Sequence, residues 1–287
     1  MEIAVVSGKG GTGKSSISAA LVSLTNHSIA VDCDVDAANM YLLFQPKIEK
    51  EFKFISGKYA LIDQDKCIQC GKCKSLCRFD AISIHEGQIE VDTVLCEGCS
   101  LCSRICPVKA ICMKPIDQSR MYIGSFRYGR MVYGRLFPGE ENSGKFVSVI
   151  RQHAHRLAEE EGFPNIILDG PPGIGCPVIS TLTGADKAVI VTEPSLSGLS
   201  DMKRVINVAR NFIDSIYVII NKYDLNVEMS EKIKLYCLQS SIPVVAELPF
   251  DKRVVEAMVA GRTIIESYPD SLVATRLMEV YRIIFEA

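Results

Sequence analysis

The sequence lacks tryptophan, a strong excess of either charge and any long apolar run. The absence of tryptophan carries no information about function. The formal net charge is −2, and a chain so close to neutrality has no general attraction for nucleic acid or for anionic membranes. No apolar run approaches the roughly 18 residues that a membrane-spanning helix needs. We therefore expect neither a nucleic-acid partner nor a membrane partner.

The N-terminal sequence also lacks the features of a secretory signal peptide. Met1 leads into a short apolar run, Ile3–Val6, and then directly into a glycine-rich turn. A signal peptide instead has a basic start and a longer apolar segment. We therefore expect a cytoplasmic protein. In that reducing compartment, clustered cysteines are more often metal ligands than disulfide partners.

Cysteine, in contrast, is abundant, and eight of the twelve cysteines lie between positions 67 and 106. They form two copies of the pattern C-x2-C-x2-C-x3-C, which begin 29 residues apart. This spacing resembles that of two-cluster bacterial ferredoxins, in which the fourth cysteine of each copy ligates the other cluster. The resemblance implies one [4Fe–4S] cluster on Cys67, Cys70, Cys73 and Cys106, and a second on Cys96, Cys99, Cys102 and Cys77.

The repeat extends beyond the cysteines, because Ala81–Ile82 matches Ala110–Ile111. We expect these isoleucines to pack around the clusters. Zinc is the alternative metal, since pairs of C-x2-C alone would also suit it, but three cysteines at this spacing with a distant fourth favour iron–sulfur. Arg78 follows the first copy where Pro107 follows the second, so the resemblance does not extend to the backbone turn after the first copy.

A phosphate-binding loop stands near the N-terminus. Residues 8–15 fit G-x-x-x-x-G-K-[ST] between a predicted strand at 2–6 and a predicted helix at 15–24. Glycines let backbone N–H groups surround phosphate oxygens, and the start of the helix favours anions. We expect Lys14 to reach the β- and γ-phosphates and Ser15 to bind Mg²⁺. The predicted nucleotide-binding residues of the loop are Gly8, Gly10, Gly11, Thr12, Gly13, Lys14, Ser15 and Ser16.

The loop carries an additional lysine, Lys9, and in this form it resembles the deviant Walker A ATPases, which include MinD, ParA, Mrp and the nitrogenase iron protein. In that family the early lysine reaches the nucleotide of the partner subunit. The resemblance therefore implies a homodimer that encloses ATP between its subunits. It also implies catalytic roles for Lys9 and Lys14.

Further stretches match the same family. The segment Asp32–Asp36 resembles its first switch, which makes Asp34 the candidate that orients the attacking water, with Asp32 and Asp36 as the alternatives. The sequence D-G-P-P-G from Asp169 resembles the Walker B strand and second switch, so Asp169 is expected to hold Mg²⁺ through its water shell. The remaining candidates, both for the base pocket, are Asn221 and Pro249.

Apolar strand patterns alternate with helical ones on both sides of the cysteine-rich stretch, which predicts a doubly wound, mostly parallel α/β domain of the P-loop NTPase type. We assign residues 1–57 and 115–287 to this domain and 58–114 to an inserted α+β ferredoxin-like domain. The basic and aromatic stretch at 127–145 is expected to be a loop. The amphipathic segment at 271–285 is expected to pack on the sheet.

Four cysteines lie outside the repeat. Each is expected to be a small buried residue, the common state of a free cysteine. Cys176 has an alternative, because it stands seven residues after Asp169. The nitrogenase iron protein has a subunit-bridging cluster ligand at this offset, but its second ligand has no counterpart in this sequence. The other three are Cys33, Cys112 and Cys237.

Two functions follow from these motifs. The first is an ATPase that couples dimer changes to electron transfer through two [4Fe–4S] clusters, with ATP and Mg²⁺ as cofactors and an unknown redox or metalloprotein partner. The alternative is an ATP-dependent factor that assembles or delivers a metallocentre. Permanent ligation by eight cysteines favours electron transfer. A pure positioning ATPase is less favoured, because the sequence has no membrane helix or DNA-binding element.

Overall fold

The computed structural model describes residues 1–55 and 57–286. The chain forms two compact units. The sheet unit comprises Met1–Phe52, Met121–Arg135 and Ser143–Ala287, and the cysteine unit comprises Lys53–Arg120 and Leu136–Asn142. The cysteine unit thus contains the segment 58–114, extends several residues beyond it on both sides, and adds a short stretch from further along the chain.

The strands of both units are numbered in chain order. They are β1 (Glu2–Ser7), β2 (Ser28–Asp32), β3 (Lys47–Phe54), β4 (Gly57–Ile62), β5 (Ile82–His85), β6 (Gln88–Val91), β7 (Ile111–Ile116), β8 (Ser119–Phe126), β9 (Gly129–Arg135), β10 (Asn165–Pro172), β11 (Lys187–Thr192), β12 (Ser215–Asn221) and β13 (Val244–Leu248).

The helices are numbered in the same way. They are α1 (Lys14–Thr25), α2 (Met40–Phe44), α3 (Lys72–Ser75), α4 (Leu101–Ile105), α5 (Ser143–Glu161), α6 (Cys176–Leu182), α7 (Leu196–Ala209), α8 (Val227–Gln239), α9 (Lys252–Val259), α10 (Ile264–Ser267) and α11 (Leu272–Phe285), with a short 3-10 turn at Tyr223–Leu225.

The sheet unit is built on a nine-stranded sheet in the order β13-β12-β11-β1-β10-β2-β9-β8-β3. The run from β13 to β9 is parallel throughout. In a parallel sheet the carboxyl ends of the strands meet at one edge, where ligands commonly bind. The register brings Asp32 at the end of β2 opposite Asp169 on β10, so two carboxylates predicted for the nucleotide site share this edge.

Both faces of the sheet are covered, as its apolar strands require. Alternate strand residues such as Ile3 and Val5 belong to one buried cluster with side chains of α1 and α11, for example Leu21 and Leu277. Because successive strand residues point to opposite faces, the buried residues between them face the other layer. On α5, which packs against β2, β9 and β10, Phe146 is fully buried.

The stretch predicted as a loop at 127–145 contains a strand of the parallel sheet and the start of a helix. β9 pairs with β2 along its length, and Met131 and Val132 are fully buried. The prediction was wrong because arginines and glycines interrupt the apolar pattern. Gly134 has a packing role, since a Cβ there would lie 2.5 Å from the Ile150 side chain.

β3 was also not predicted, because its sequence KIEKEFKF is dense in charge. It lies at the edge of the nine-stranded sheet. Charged side chains, lysine above all, are common on edge strands because they discourage pairing with another chain. The charge pattern that hides this strand from hydrophobic periodicity therefore suits its place in the sheet.

The helix at the C-terminal end of the sheet unit packs as the sequence predicts. On α11 the residues Val273, Leu277, Val280 and Ile284 are buried in the cluster shared with α1. Across residues 1–55 and 57–286, every helix is too short or too polar to cross a bilayer.

The cysteine unit contains two antiparallel strand pairs, β4 with β7 and β5 with β6, and two short helices, α3 and α4. Its small core joins Ile82 and Ile111, the two matched isoleucines of the sequence repeat, with Ala60, Ile62 and Ile89. Cysteines of both copies of the repeat pack against this core.

Candidate functional site

The phosphate loop connects β1 to α1 and requires glycine at defined positions. A Cβ on Gly8 would lie 2.5 Å from the backbone carbonyl carbon of Asp201. Gly13 has φ 88°, and a Cβ there would lie 2.3 Å from Nδ2 of Asn221. A side chain at either position would therefore displace the element packed against the loop.

Lys14 and Asp169 form a buried ion pair at the start of α1. The Lys14 Nζ lies 2.6 Å from Asp169 Oδ1, and the Ser18 hydroxyl donates to the same oxygen at 2.8 Å. The other carboxylate oxygen, Asp169 Oδ2, and the hydroxyl of Thr12 are buried, and within the described part of the chain neither has a hydrogen-bond partner. Buried polar atoms without partners are costly, so this pair fits a site that is completed by phosphate and hydrated Mg²⁺.

The aspartates of the first switch have different surroundings. Asp32 is fully buried, and its Oδ2 accepts backbone hydrogen bonds from Asn39 at 2.9 Å and Met40 at 3.0 Å. Burial and then the charge of Asp169 raise the pKa of Asp32 to about 7. Asp32 thereby anchors the segment that leads into α2.

Asp34 is partly buried. Burial raises the pKa of its carboxyl, and the nearby Lys14 ammonium opposes that rise. Asp34 is therefore the switch carboxylate that remains available to a water molecule. Asp36 is exposed.

A cavity of about 200 Å³ adjoins the phosphate loop. Asn221 at the end of β12 and Pro249 after β13 both line it, together with the loop residues Gly11 and Gly13. The Asn221 amide donates to the Thr12 carbonyl at 2.8 Å. The apolar part of the lining is Ile17, Leu248, Phe250, Val254, Val255, Ile264, Val273 and Leu277. A mostly apolar cleft with few polar groups is typical of a site for a small-molecule ligand.

Lys9 contacts a residue that the sequence analysis missed. Its ammonium lies 3.1 Å from Glu193 Oε1 and 3.4 Å from the Ser197 hydroxyl. The other oxygen of Glu193 lies 3.6 Å from Lys222, which in turn donates to the Gly11 carbonyl at 3.1 Å. Glu193 directly follows β11, which pairs with β1. The sequence signal that could have identified Glu193 is its position directly after a predicted strand.

The eight cysteines of the repeat line two cavities inside the cysteine unit. The first, which we call cavity one, is lined by Cys67, Cys70, Cys73 and Cys106. The second, cavity two, is lined by Cys77, Cys96, Cys99 and Cys102, and also by Cys73. Each copy of the repeat therefore contributes its fourth cysteine to the other copy's cavity.

No three histidine, cysteine or acidic side chains within residues 1–55 and 57–286 converge on a point where they could hold a single metal ion. A [4Fe–4S] cluster has a different requirement, because each of its four thiolates binds a different iron. The thiols fit such a cluster, because each cavity brings together the four cysteines that it needs, with Cys73 as a fifth at cavity two.

The cysteines outside the repeat are divided between the interior and the surface. Cys33 and Cys237 are buried as predicted, whereas Cys112 and Cys176 are exposed. For these two the expectation of burial was wrong. Cys112 lies opposite Leu61 in the β4–β7 pair, and both are exposed on the outer face of that pair. Cys176 begins α6, at its exposed N-terminal end.

A model of the CobQ/CobB/MinD/ParA nucleotide binding domain matches residues 3–264 of the chain. The chain belongs to this family. Its predicted fold class, a mostly parallel α/β P-loop NTPase, is thereby confirmed, and the phosphate loop described above belongs to a MinD/ParA-type nucleotide-binding ATPase domain.

Individual relatives share different parts of this MinD/ParA-type chain. The uncharacterized protein MJ0578 of Methanocaldococcus jannaschii is 40% identical over 231 residues, which cover 79% of each chain. The pyruvate synthase subunit PorD of Methanothermobacter marburgensis is 42% identical over 53 residues, which cover 18% of this chain and 62% of PorD.

Among solved structures, the septum site-determining protein MinD of Pyrococcus horikoshii OT3, complexed with Mg-ADP, aligns with a TM-score of 0.60 at 17% identity. The alignment covers 99% of this chain and 96% of that chain. At this level of identity the similarity concerns the fold.

Proposed function

We propose that this protein is an ATP-hydrolysing iron–sulfur protein, in which nucleotide-dependent changes of a homodimer are coupled to electron transfer through two [4Fe–4S] clusters to a partner protein. The observation that carries this proposal is the presence, in one MinD/ParA-type chain, of two cavities that are each lined by at least four cysteines. Partial similarities to the pyruvate synthase subunit PorD and to the indolepyruvate oxidoreductase subunit IorA support the same chemistry.

At the nucleotide site, Lys14 would leave Asp169 to contact the β- and γ-phosphates, and the Ser15 hydroxyl would ligate Mg²⁺. Asp169 would then hold the metal's water shell with the oxygen that is buried without a partner among the described residues. Asp34 would orient the attacking water, since it is less buried than Asp32, the other carboxylate of this segment near Lys14.

The base would occupy the cavity lined by Asn221 and Pro249. An adenine nucleotide is supported by the fold neighbour that holds Mg-ADP. Lys9 would contact the partner subunit's nucleotide, as the family resemblance implies, and would have to leave Glu193 to do so.

In the cysteine unit, Cys67, Cys70, Cys73 and Cys106 would hold one cluster, and Cys77, Cys96, Cys99 and Cys102 the other. Each cluster, when bound, supplies a one-electron redox couple. The chain's own contribution is to exclude water from both cavities with apolar side chains such as Ile62, Ile89 and Met113.

The chain enters the cysteine unit from β3 and returns through β8, and these two strands are neighbours at the edge of the sheet. β3 follows α2, whose first residues are hydrogen-bonded to the switch carboxylate of Asp32. The segment that Asp32 holds is therefore joined to the cysteine unit by a short stretch of chain. A conformational change at the nucleotide site would reach the cysteine unit along this stretch.

A redox titration tests the coupling. In an Asp34→Ala variant, which should bind ATP without hydrolysing it, ATP with Mg²⁺ should shift the reduction potential of at least one cluster, and ADP should shift it less. A ligand changes an equilibrium only through a difference in affinity between two states, so reduction should change ATP affinity by the same factor. Identical potentials and identical chelation rates with and without ATP would contradict the coupling.

The alternative function is assembly or delivery of a metallocentre. The observation that favours it is the exposed Cys176 in the sheet unit, a thiol outside both cavities that could hold a labile group. Loss of iron from the protein to a client on addition of ATP would support delivery. Retention of all iron through repeated turnover would support electron transfer.

A further inference from the structure

The two cysteine cavities differ in charge although they arise from one sequence repeat. Lys72 lines cavity one, and Lys109 lies between two residues that line it, Val108 and Ala110. The matching positions, 29 residues away in the repeat, are occupied by Leu101 and Asp80. The sequence pattern needed to hold a cluster is the same in both copies, so holding a cluster does not account for these lysines.

Other matched positions reinforce the difference. Lys74 follows Cys73, which lines cavity one, and corresponds to Ser103. Ile68, which lines cavity one, corresponds to Glu97, which lines cavity two. Lys72 lines cavity one, and Lys74 and Lys109 each adjoin in sequence a residue that lines it, which gives three positive charges at the rim of that cavity. At cavity two, Glu97 and the neighbouring Asp80 are balanced by Arg78 and by Lys58, which packs against Gly98 of the lining.

The three lysines are free to meet a ligand. Lys72, Lys74 and Lys109 are all exposed, and none of them forms an ion pair within the described residues. The nearby carboxylate of Asp63 is paired with Lys66 at 2.5 Å, and Asp65 adds one further negative charge next to that pair.

The same rim exposes apolar surface and a thiol. Ile68 is 60% exposed and Val108 is 38% exposed, and Cys70 is exposed as well. Apolar side chains among a few cations are typical of a protein-docking surface, whereas three lysines are too few for the many phosphate contacts of a nucleic-acid site. The exposed Cys70 would bring a cluster in cavity one close to whatever covers the rim.

We propose that this basic rim, formed by Lys72, Lys74, Lys109, Ile68 and Val108, is the docking surface for an acidic electron-carrier protein. The inference rests on the proposed function, because only a redox-active cavity gives an electron carrier a reason to dock there. Such complexes are small and weak, and complementary charge sets their association rate and their sensitivity to salt.

The test uses the full-length protein, prepared anaerobically and analysed for iron, with an acidic plant-type [2Fe–2S] ferredoxin as the probe. Calorimetry at an ionic strength of about 0.05 M should detect binding that weakens strongly at about 0.5 M, where charges are screened within a few ångströms. The double variant Lys72→Glu/Lys109→Glu should bind at least about tenfold more weakly. Basic cytochrome c should not bind the parent protein, and should bind the double variant better.

Arg104→Glu is the matched control, because Arg104 is an exposed cation on α4 in the second copy of the repeat. It should change ferredoxin affinity less than about twofold. An equal loss in the control and the double variant would overturn the proposal, as would tighter binding of single-stranded DNA or anionic vesicles than of ferredoxin.

Measuring the iron content distinguishes a failure of the docking surface from a failure of the proposed function. If protein with about eight irons per chain fails to bind ferredoxin, the docking surface is refuted but the two clusters are not. Ferredoxin binding that depends on Lys72 and Lys109 in protein that cannot be loaded with iron would support the surface and refute the proposed function.

Discussion

Asp32 and Asp34 stand two residues apart, yet the structure gives their carboxylates different surroundings. The Asp32 carboxylate accepts backbone hydrogen bonds from the start of α2. The Asp34 carboxylate, near Lys14, is partly exposed. One carboxylate therefore fixes the switch segment and the other is available for chemistry.

We expect Asp34→Ala to bind ATP but to hydrolyse it at least about 100-fold more slowly, because the attacking water loses its orienting group. The variant should also accumulate as an ATP-bound dimer. Steady-state phosphate release and size-exclusion chromatography measure the two effects. The matched change Asp36→Ala, at an exposed position in the same segment, should leave turnover nearly unchanged. Normal hydrolysis in Asp34→Ala would show that another group orients the water.

Glu193 is the residue that the structure adds to the site. Because its carboxylate pairs with Lys9 in the isolated chain, Glu193→Gln should release Lys9 and lower the protein concentration needed for ATP-dependent dimerisation. The effect should be about two- to fivefold, since the Lys9 side chain is largely solvated. Analytical ultracentrifugation with ATP measures it, and Lys9→Ala should abolish dimerisation.

Glu247→Gln serves as the control for Glu193→Gln. Glu247 pairs with Lys234, so the control removes one carboxylate charge from a different ion pair. Equal dimerisation of both variants and the parent protein would mean that the Glu193–Lys9 pair does not restrain the lysine.

At the scale of elements, α11 closes one side of the sheet unit through its buried stripe. Leu277 lies both in the shared core with α1 and in the lining of the cavity beside the phosphate loop. The helix therefore contributes both to the core and to the wall of that cavity.

Leu277→Ala should lower the free energy of unfolding by about 2–5 kcal/mol, because it removes a fully buried side chain and leaves a cavity. Leu272→Ala is the matched control on the same helix, since Leu272 is 50% exposed, and it should cost less than about 0.5 kcal/mol. Urea denaturation with and without ATP measures the free energy of unfolding of each variant. Similar losses in both variants would argue against the packing of α11 described above.

At the scale of the whole molecule, the two units carry different chemistries. All eight cysteines of the repeat lie in the cysteine unit, and Cys176 lies in the sheet unit. The cysteine unit therefore contains all eight thiols that two [4Fe–4S] clusters would require.

Anaerobically prepared protein should contain about eight irons and eight sulfides per chain, and Cys176→Ser should leave that content unchanged. Cys102→Ser, which removes one cysteine from cavity two, is the positive control and should lower iron by about four. Iron and sulfide analysis with electron paramagnetic resonance measures both. Zinc in place of iron would refute the clusters, and a loss of about two irons in Cys176→Ser would indicate a cluster shared between subunits.

The sequence by itself determined the chemistry-bearing motifs and the fold class. The phosphate loop, the switch aspartates and the cysteine repeat are local patterns, because their chemistry requires particular residue types at short, fixed spacings. The long buried strands were equally visible, since burial on both faces leaves a continuous apolar run.

Only the tertiary structure decided which distant groups meet. The pairing of Lys9 with Glu193 joins residues 184 positions apart, and no local pattern reports such a contact. β3 and β9 escaped prediction because edge position and packing against α5, rather than hydrophobic periodicity, hold them in the sheet. The charge difference between the two cysteine cavities required the structure too, because it depends on which neighbours of the repeat line which cavity.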